Sequence, residues 1–177
     1  MRTSKREQIL ASAVGIIEER GIEAVTFENL ADASGLSKSG LIYHFPSRHD
    51  LLLGIHTHMA EAWEEELIEA AGGPAEDVSE AARLRAVVVT MGGNAPRAEL
   101  LMALDAGTHP DFSATWARVD QAWLPSPEEA MDSEHARAAY LVRLMADGLW
   151  MHDHLHELHL PEGVRAALIE SVLAQIP

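Results

Sequence analysis

A chain of 177 residues, 47% of them apolar and none of them cysteine, can bury a substantial core without covalent staples, and it excludes disulfides, thiolate metal sites and a cysteine nucleophile. The net charge of −15 argues against a nucleic-acid partner on average, yet residues 1–50 sit near balance at −1 while residues 51–177 carry −14. There is no secretory-type start and no apolar run near the ~20 residues of a membrane span, so a cytoplasmic, soluble protein is expected.

Ile9, Ala13, Ile16 and Ile17 recur at helical spacing and predict a first helix over about 4–20, which Gly21 can end with positive φ. Thr26 is an N-cap candidate for a short second helix that turns Phe27, Leu30 and Ala31 inward and stops at Gly35. Ser37 can cap a third, with Leu36 and Leu41 at the spacing of a hydrophobic staple, and Pro46 keeps that helix short. Ser47 and Asp50 resemble a capping box opening a long fourth helix over about 48–71. Gly72-Gly73-Pro74 breaks it, and further helices are predicted at about 78–91, 97–106, 112–123, 134–157 and 162–176. No alternating strand pattern and no internal repeat occurs. The expectation is an all-α protein of about nine helices, a small N-terminal three-helix unit joined to a larger bundle.

The stretch GLSKSGLIYHFPSRHD, residues 35–50, has the form of a helix-turn-helix. Its second helix should expose Lys38, Ser39, Gly40, Tyr43 and His44 while Leu41 and Phe45 face inward. Ser39 and Gly40 are small enough to let a helix approach base edges, Ser37 and Lys38 can donate to phosphates or bases, and the Tyr43 hydroxyl can reach a phosphate. Arg2, Lys5 and Arg6 form a basic N-terminal arm.

The run TFENLADASGLSKSGLIYHFPSRHDLL, residues 26–52, resembles the DNA-binding signature of the TetR family of bacterial repressors, with Arg48 standing where the family usually has lysine. The stretches MRTSKREQIL, GLSKSGLIYHFPSRHDLLLGIH, RLRAVVVT, HPDF and YLVRLMADGLWMHDHLHE are similar to the drug-responsive repressors of the CgmR type, which control multidrug efflux genes. The resemblance implies a DNA-binding domain over 1–47 and a ligand-binding and dimerisation domain over 48–177. It implies operator DNA and lipophilic, often cationic, drugs as partners of a homodimer. The DNA contacts it implies are Arg2, Lys5, Arg6, Thr26, Ser37, Lys38, Ser39, Gly40, Tyr43, His44 and Arg48. Met59, Trp63, Leu67, Met91, Leu100, Leu104, Trp116 and Met145 are the ligand-binding residues it suggests, Trp63 and Trp116 foremost.

Other readings bear on the larger part of the chain. All four tryptophans and six of the seven methionines lie beyond residue 50, a set that suits an adaptable pocket as well as an ordinary core. Asp105 and Asp147 interrupt apolar helices and could attract a cation, cap a helix or hydrogen-bond across a dimer. On a helix His152, His156 and His159 would share one face, but the run falls one residue short of H-E-x-x-H, and no metal or other cofactor is assigned. The last two helices carry more apolar residues than a lone bundle edge should expose, which favours dimerisation there. No catalytic motif is found. Two further readings are a metal- or metabolite-sensing regulator on the same fold, and an all-α enzyme or ligand carrier that does not bind DNA.

Overall fold

The computed structural model describes residues 4–157 and 159–177. Among the described residues it contains nine α-helices and no strand: α1 Lys5–Arg20, α2 Phe27–Ser34, α3 Lys38–His44, α4 Arg48–Ala71, α5 Glu80–Met91, α6 Arg97–Asp105, α7 Pro110–Trp123, α8 Glu134–Leu155 and α9 Glu162–Leu173. The chain divides into two compact units. One comprises the residues up to Glu61 with Pro96–Trp116, the other Ala62–Ala95 with Ala117–Pro177.

Local chemistry sets the helix boundaries of the first unit. The Ser4 hydroxyl accepts from the Glu7 amide while the Glu7 carboxylate accepts from the Ser4 amide, a reciprocal capping box that opens α1. Gly21 ends α1 at φ 84°. The Thr26 hydroxyl caps α2 through the Asn29 amide at 3.1 Å, and Gly35 closes it in the left-handed region at φ 70°, a conformation glycine adopts without a Cβ penalty. Ser37 caps α3 through the Gly40 amide, and the Ser47 hydroxyl accepts from the Asp50 amide and donates to its carboxylate at the start of α4.

These helices close on one apolar cluster that includes Ile9, Ile17, Leu30, Leu41, Phe45, Leu51, Ile55, Met102 and Phe112. A reciprocal polar clasp joins α1 to α6. The Glu18 carboxylate accepts from the Arg97 and Ala98 amides at 3.3 and 2.6 Å, and the Arg97 guanidinium donates to the Glu18 and Glu19 carbonyls at 3.1 and 3.3 Å. An anion thus sits at one helix N-terminus and a cation at the other helix's C-terminus, as both macrodipoles favour.

In the second unit α5, α8 and α9 pack together. Arg165 of α9 donates to the Gly92 and Leu149 carbonyls at 3.0 and 2.8 Å and pairs with Asp153 at 3.0 Å. Gly92 is required by a close approach, since a Cβ there would lie 2.7 Å from the Val88 carbonyl oxygen and 2.8 Å from the Ile169 side chain. Gly92→Ala should therefore cost about 1–3 kcal/mol through overpacking, read as a lower melting temperature; an unchanged melting temperature would show that α9 yields there without strain.

Helix boundaries differ from the sequence expectation in particular places. α5 begins at Glu80 because Ser79 caps it, α7 begins two residues early at Pro110, and α9 ends at Leu173. α8 ends at Leu155 rather than 157, and His156 is already extended at φ −130°. The cause is Asp153, whose carboxylate takes the Leu160 amide, His152 and Arg165 and draws the following chain back. No helix is long and apolar enough to cross a membrane among the described residues.

Candidate nucleic-acid interface and ligand region

The short helix α3 carries its apolar side inward. Leu41 is fully buried and Phe45, its C-cap residue, is 2% exposed. Its other side presents Lys38, Ser39 and Tyr43 to solvent, with Tyr43 84% exposed, while Gly40 and His44 are half-buried rather than open. A tyrosine so exposed gains nothing from the core; its one ring contact among the described residues is the His44 ring, edge-on at 5.2 Å between centroids, and its exposure leaves the hydroxyl where a partner can reach it.

Around α3 the structure places the other sequence-predicted contacts. Ser37 is occupied as an N-cap and its hydroxyl lies 3.1 Å from that of Ser39. Thr26 is likewise a cap. Lys5 and Arg6 are exposed in the first turns of α1, and the Arg6 guanidinium lies over the Phe45 ring at 5.1 Å. Arg2 lies outside the described residues. Lys38 is paired with Glu28 of α2, whose carboxyl is held below its ordinary value chiefly by the hydrogen bond from Lys38. Arg48 reaches Glu23 at only 3.4 Å with both side chains exposed. Such pairs contribute little, about 0–1 kcal/mol, so both cations remain exchangeable for phosphate.

The expected ligand residues fall in both units. In the first, Met59 is part of the apolar cluster, Leu100 is half-buried and Leu104 is 67% exposed. Trp116 belongs to a polar constellation that sequence reasoning missed. Its indole N–H donates to His56 Nδ1 at 3.0 Å, and His56 Nε2 lies 3.1 Å from the Asp105 carboxylate. Because Nδ1 accepts, the ring proton sits on Nε2 and is donated to Asp105. His56 is fully buried and stacks on Phe112 with centroids 4.5 Å apart. Burial pushes its pKa down, against the smaller opposing pull of Asp105. Asp105, singled out in the sequence as an interruption of an apolar helix, is thus the hydrogen-bond acceptor of a buried histidine.

In the second unit Trp63 and Met91 are half-buried, Leu67 is fully buried, and Met145 lies on the exposed side of α8 beside Leu141 and Leu144. A cavity of about 420 Å³ there is lined by Glu80, Arg83, Trp123, Glu129, Asp132 and His135 among others, none of them an expected ligand residue. Asp147 lies 4.0 Å from Arg143, and burial raises the pKa of both Asp147 and Asp120. The histidine run departs from its expected form. With α8 ending at Leu155, His152, His156 and His159 do not lie along one helix, although the His152 and His156 rings still meet at 4.9 Å between centroids. His152 and His159 instead turn toward Asp153 at 2.9 and 3.8 Å, and His154 donates to the Ala95 carbonyl at 2.7 Å. Asp153 is held at about 2, first by its hydrogen bond with His152 and further by Leu160 and Arg165.

Comparisons with known proteins identify the family and the fold. Residues 9–55 match the family model described as bacterial regulatory proteins, tetR family, and residues 81–177 match that of the tetracyclin repressor-like C-terminal domain. The HTH-type transcriptional regulator RutR of Escherichia coli K12 is 28% identical over 61 residues, 34% of this chain, and the match spans only 29% of RutR's own length. A transcriptional regulator from Saccharomonospora viridis, solved in complex with choline, superposes with a TM-score of 0.70 at 18% identity over 97% of this chain and 94% of its own. The multidrug binding protein EbrR, solved with imidazole, gives 0.64 at 17% identity over 99% and 97%. At such identities these two structures speak for the fold alone. The second family model by itself covers more than half of the sequence, and the chain belongs to the TetR family of transcriptional regulators, which are DNA-binding proteins and not enzymes.

Proposed function

We propose that this chain is a ligand-responsive repressor of the CgmR type, which binds a pseudo-palindromic operator as a homodimer and is released by lipophilic, often cationic, drugs, controlling a multidrug efflux gene. In this reading residues 1–47 are the DNA-binding domain and 48–177 the ligand-binding and dimerisation domain. The observation that carries it is α3, a Ser37-capped helix anchored by Leu41 and Phe45 that offers Lys38, Ser39 and Tyr43 to a major groove. Lys5, Arg6 and Arg48 flank it as phosphate contacts, and Arg2 would extend the arm.

A cationic ligand is favoured by the −14 balance of residues 51–177, which attracts cations over distance, and by the tryptophans and methionines there, whose faces and thioethers suit flat or quaternary ammonium groups. The same fold holds choline in the Saccharomonospora viridis regulator and is that of the multidrug binding protein EbrR, so a ligand of this kind is compatible with the fold. Dimerisation through α8 and α9 is supported by exposed Leu141 with Leu144 and Met145 three and four residues on, and by Val164 with Leu168 four residues on. Drug release follows if the ligand binds the splayed dimer more tightly than the operator-bound one.

Fluorescence anisotropy on the chain's own upstream DNA, with a panel of planar cationic dyes, tests this function. Dyes should quench tryptophan emission and lower operator occupancy over the same concentration range. Tight operator binding that no dye relieves would refute the drug response while leaving the repressor intact.

A further inference from the structure

His49 in the first turn of α4, and His109 and Asp111 at the start of α7, bring three metal-ligating side chains together, their ligand atoms all within 4.8 Å of one another. His49 Nε2 lies 3.2 Å and His109 Nδ1 3.6 Å from the same Asp111 carboxylate oxygen, and the two imidazoles pack at 4.4 Å between centroids. All three belong to the first unit. His49 and Asp111 stand 62 positions apart in the sequence, so no local spacing announces the group.

From this geometry we propose that His49, His109 and Asp111 form a binding site for a divalent transition-metal ion of the zinc class. Two imidazoles and one carboxylate are the donor types such ions prefer, and three protein ligands leave the remaining coordination to water. Ligand atoms around one ion lie about 3–4 Å apart when each bond is about 2.0–2.2 Å long, so the present separations close with small side-chain rotations. The rings are already held. Phe112, itself nearly buried, stacks on His49 at 5.1 Å with planes 20° apart and meets His109 at 5.3 Å. Its other neighbour, His56, backs it at 4.5 Å. Such support from a packed neighbour is what a precise ligand set requires. Ion capture replaces the direct contacts of His49 and His109 with the Asp111 carboxylate at 3.2 and 3.6 Å, and it displaces the Asp111 amide from His109 Nδ1 at 3.2 Å, an amide that water can satisfy in the first turn of a helix.

The position gives the site a consequence. α4 starts four residues after α3 ends, so an ion shared by the first turns of α4 and α7 ties the segment that follows the candidate reading helix to the start of α7 in the same unit. An ion that fits this arrangement better than any other biases the reading helix toward it, and its occupancy is coupled to operator affinity. This coupling rests on the operator-binding reading above, whereas the site itself does not.

The full chain, treated with chelator, is titrated with Zn2+ by calorimetry and with Co2+ by visible absorption, beside His49→Gln, His109→Gln and Asp111→Asn. His156→Gln serves as a control for the histidines after α8, and circular dichroism checks folding. One saturable site per chain, with affinity at least about tenfold weaker in each of the three variants and unchanged in the control, is the expected result. Absence of saturable binding, or wild-type affinity in all three variants, overturns the site. Operator affinity measured with and without Zn2+ should shift at least about fivefold in the wild type and not in His49→Gln. Metal binding with no such shift, in a protein that binds operator without metal, overturns the coupling. Failure to bind operator in either condition overturns the operator reading and the coupling with it, and the titration still decides the site.

Discussion

Lys38→Ala and Tyr43→Phe each weaken operator binding by about 1–3 kcal/mol, roughly 5- to 150-fold, and leave melting temperature and dimerisation unchanged. The separation of the two readouts follows from where the side chains lie. Tyr43 has no role in the core, and the Lys38–Glu28 pair is exposed on both sides, so neither change removes buried area or strands a buried charge. Lys38 must exchange Glu28 for a phosphate or base, and that exchange is cheap because the existing pair is water-screened. Glu28→Gln supplies the opposite arm, for it removes the competitor and a repelling charge and should hold or raise affinity. In Lys38→Ala the slope of log affinity against log salt should also flatten by about one counterion if the contact is to phosphate. Wild-type affinity in both variants would remove α3 from the interface.

The parts of this architecture that a reader of the sequence finds are those whose cause is local. Thr26, Ser37, and Ser47 with Asp50 each cap a helix within three residues of themselves, and Gly21 and Gly35 take the positive φ that ends one; the Ser4–Glu7 box is as local, although the sequence pattern places Ser4 inside the helix it caps. The reading helix is legible for the same reason, since its cap, its apolar side and its stop lie within ten residues. What the sequence hides depends on distant partners. Glu18 looks like a solvated charge near the end of α1 until Arg97 and Ala98, some 80 positions on, supply the helix start that it caps. The end of α8 is hidden likewise, because the run after Trp150 contains no glycine or proline to stop a helix. It is the Asp153 carboxylate, by collecting Leu160 and Arg165, that stops it. His56 sits among apolar neighbours along α4 and is recognisable as a buried polar hub only when Asp105 and Trp116 are in place.

That hub carries the second large effect. His56→Phe keeps the ring and its stack on Phe112 but leaves the Asp105 carboxylate without its His56 donor and the Trp116 indole without its His56 acceptor, which should cost about 2–4 kcal/mol of stability. The same geometry predicts a pH dependence. In the unfolded chain His56 binds its proton at the ordinary histidine value, whereas in the folded chain burial depresses that value. A second proton would also have to sit on Nδ1, against the indole N–H already pointing there. Asp105 facing Nε2 favours the charged ring but does not outweigh burial. Stability associated with His56 is therefore fully present above about pH 6.5, and it is lost as pH falls from there through the depressed folded value. Denaturant unfolding at pH 7.5 and 5.5, in wild type and His56→Phe, isolates this histidine from the other nine, because their contributions cancel in the comparison. The wild type should lose more stability on acidification than the variant. Trp116→Phe provides an independent check, since removing the indole N–H relieves the donor conflict at Nδ1 and should reduce the acid sensitivity without removing the histidine. Equal acid sensitivity in all three proteins would show that His56 takes its proton without penalty and that the hub is not the neutral, fully committed pair of hydrogen bonds described above.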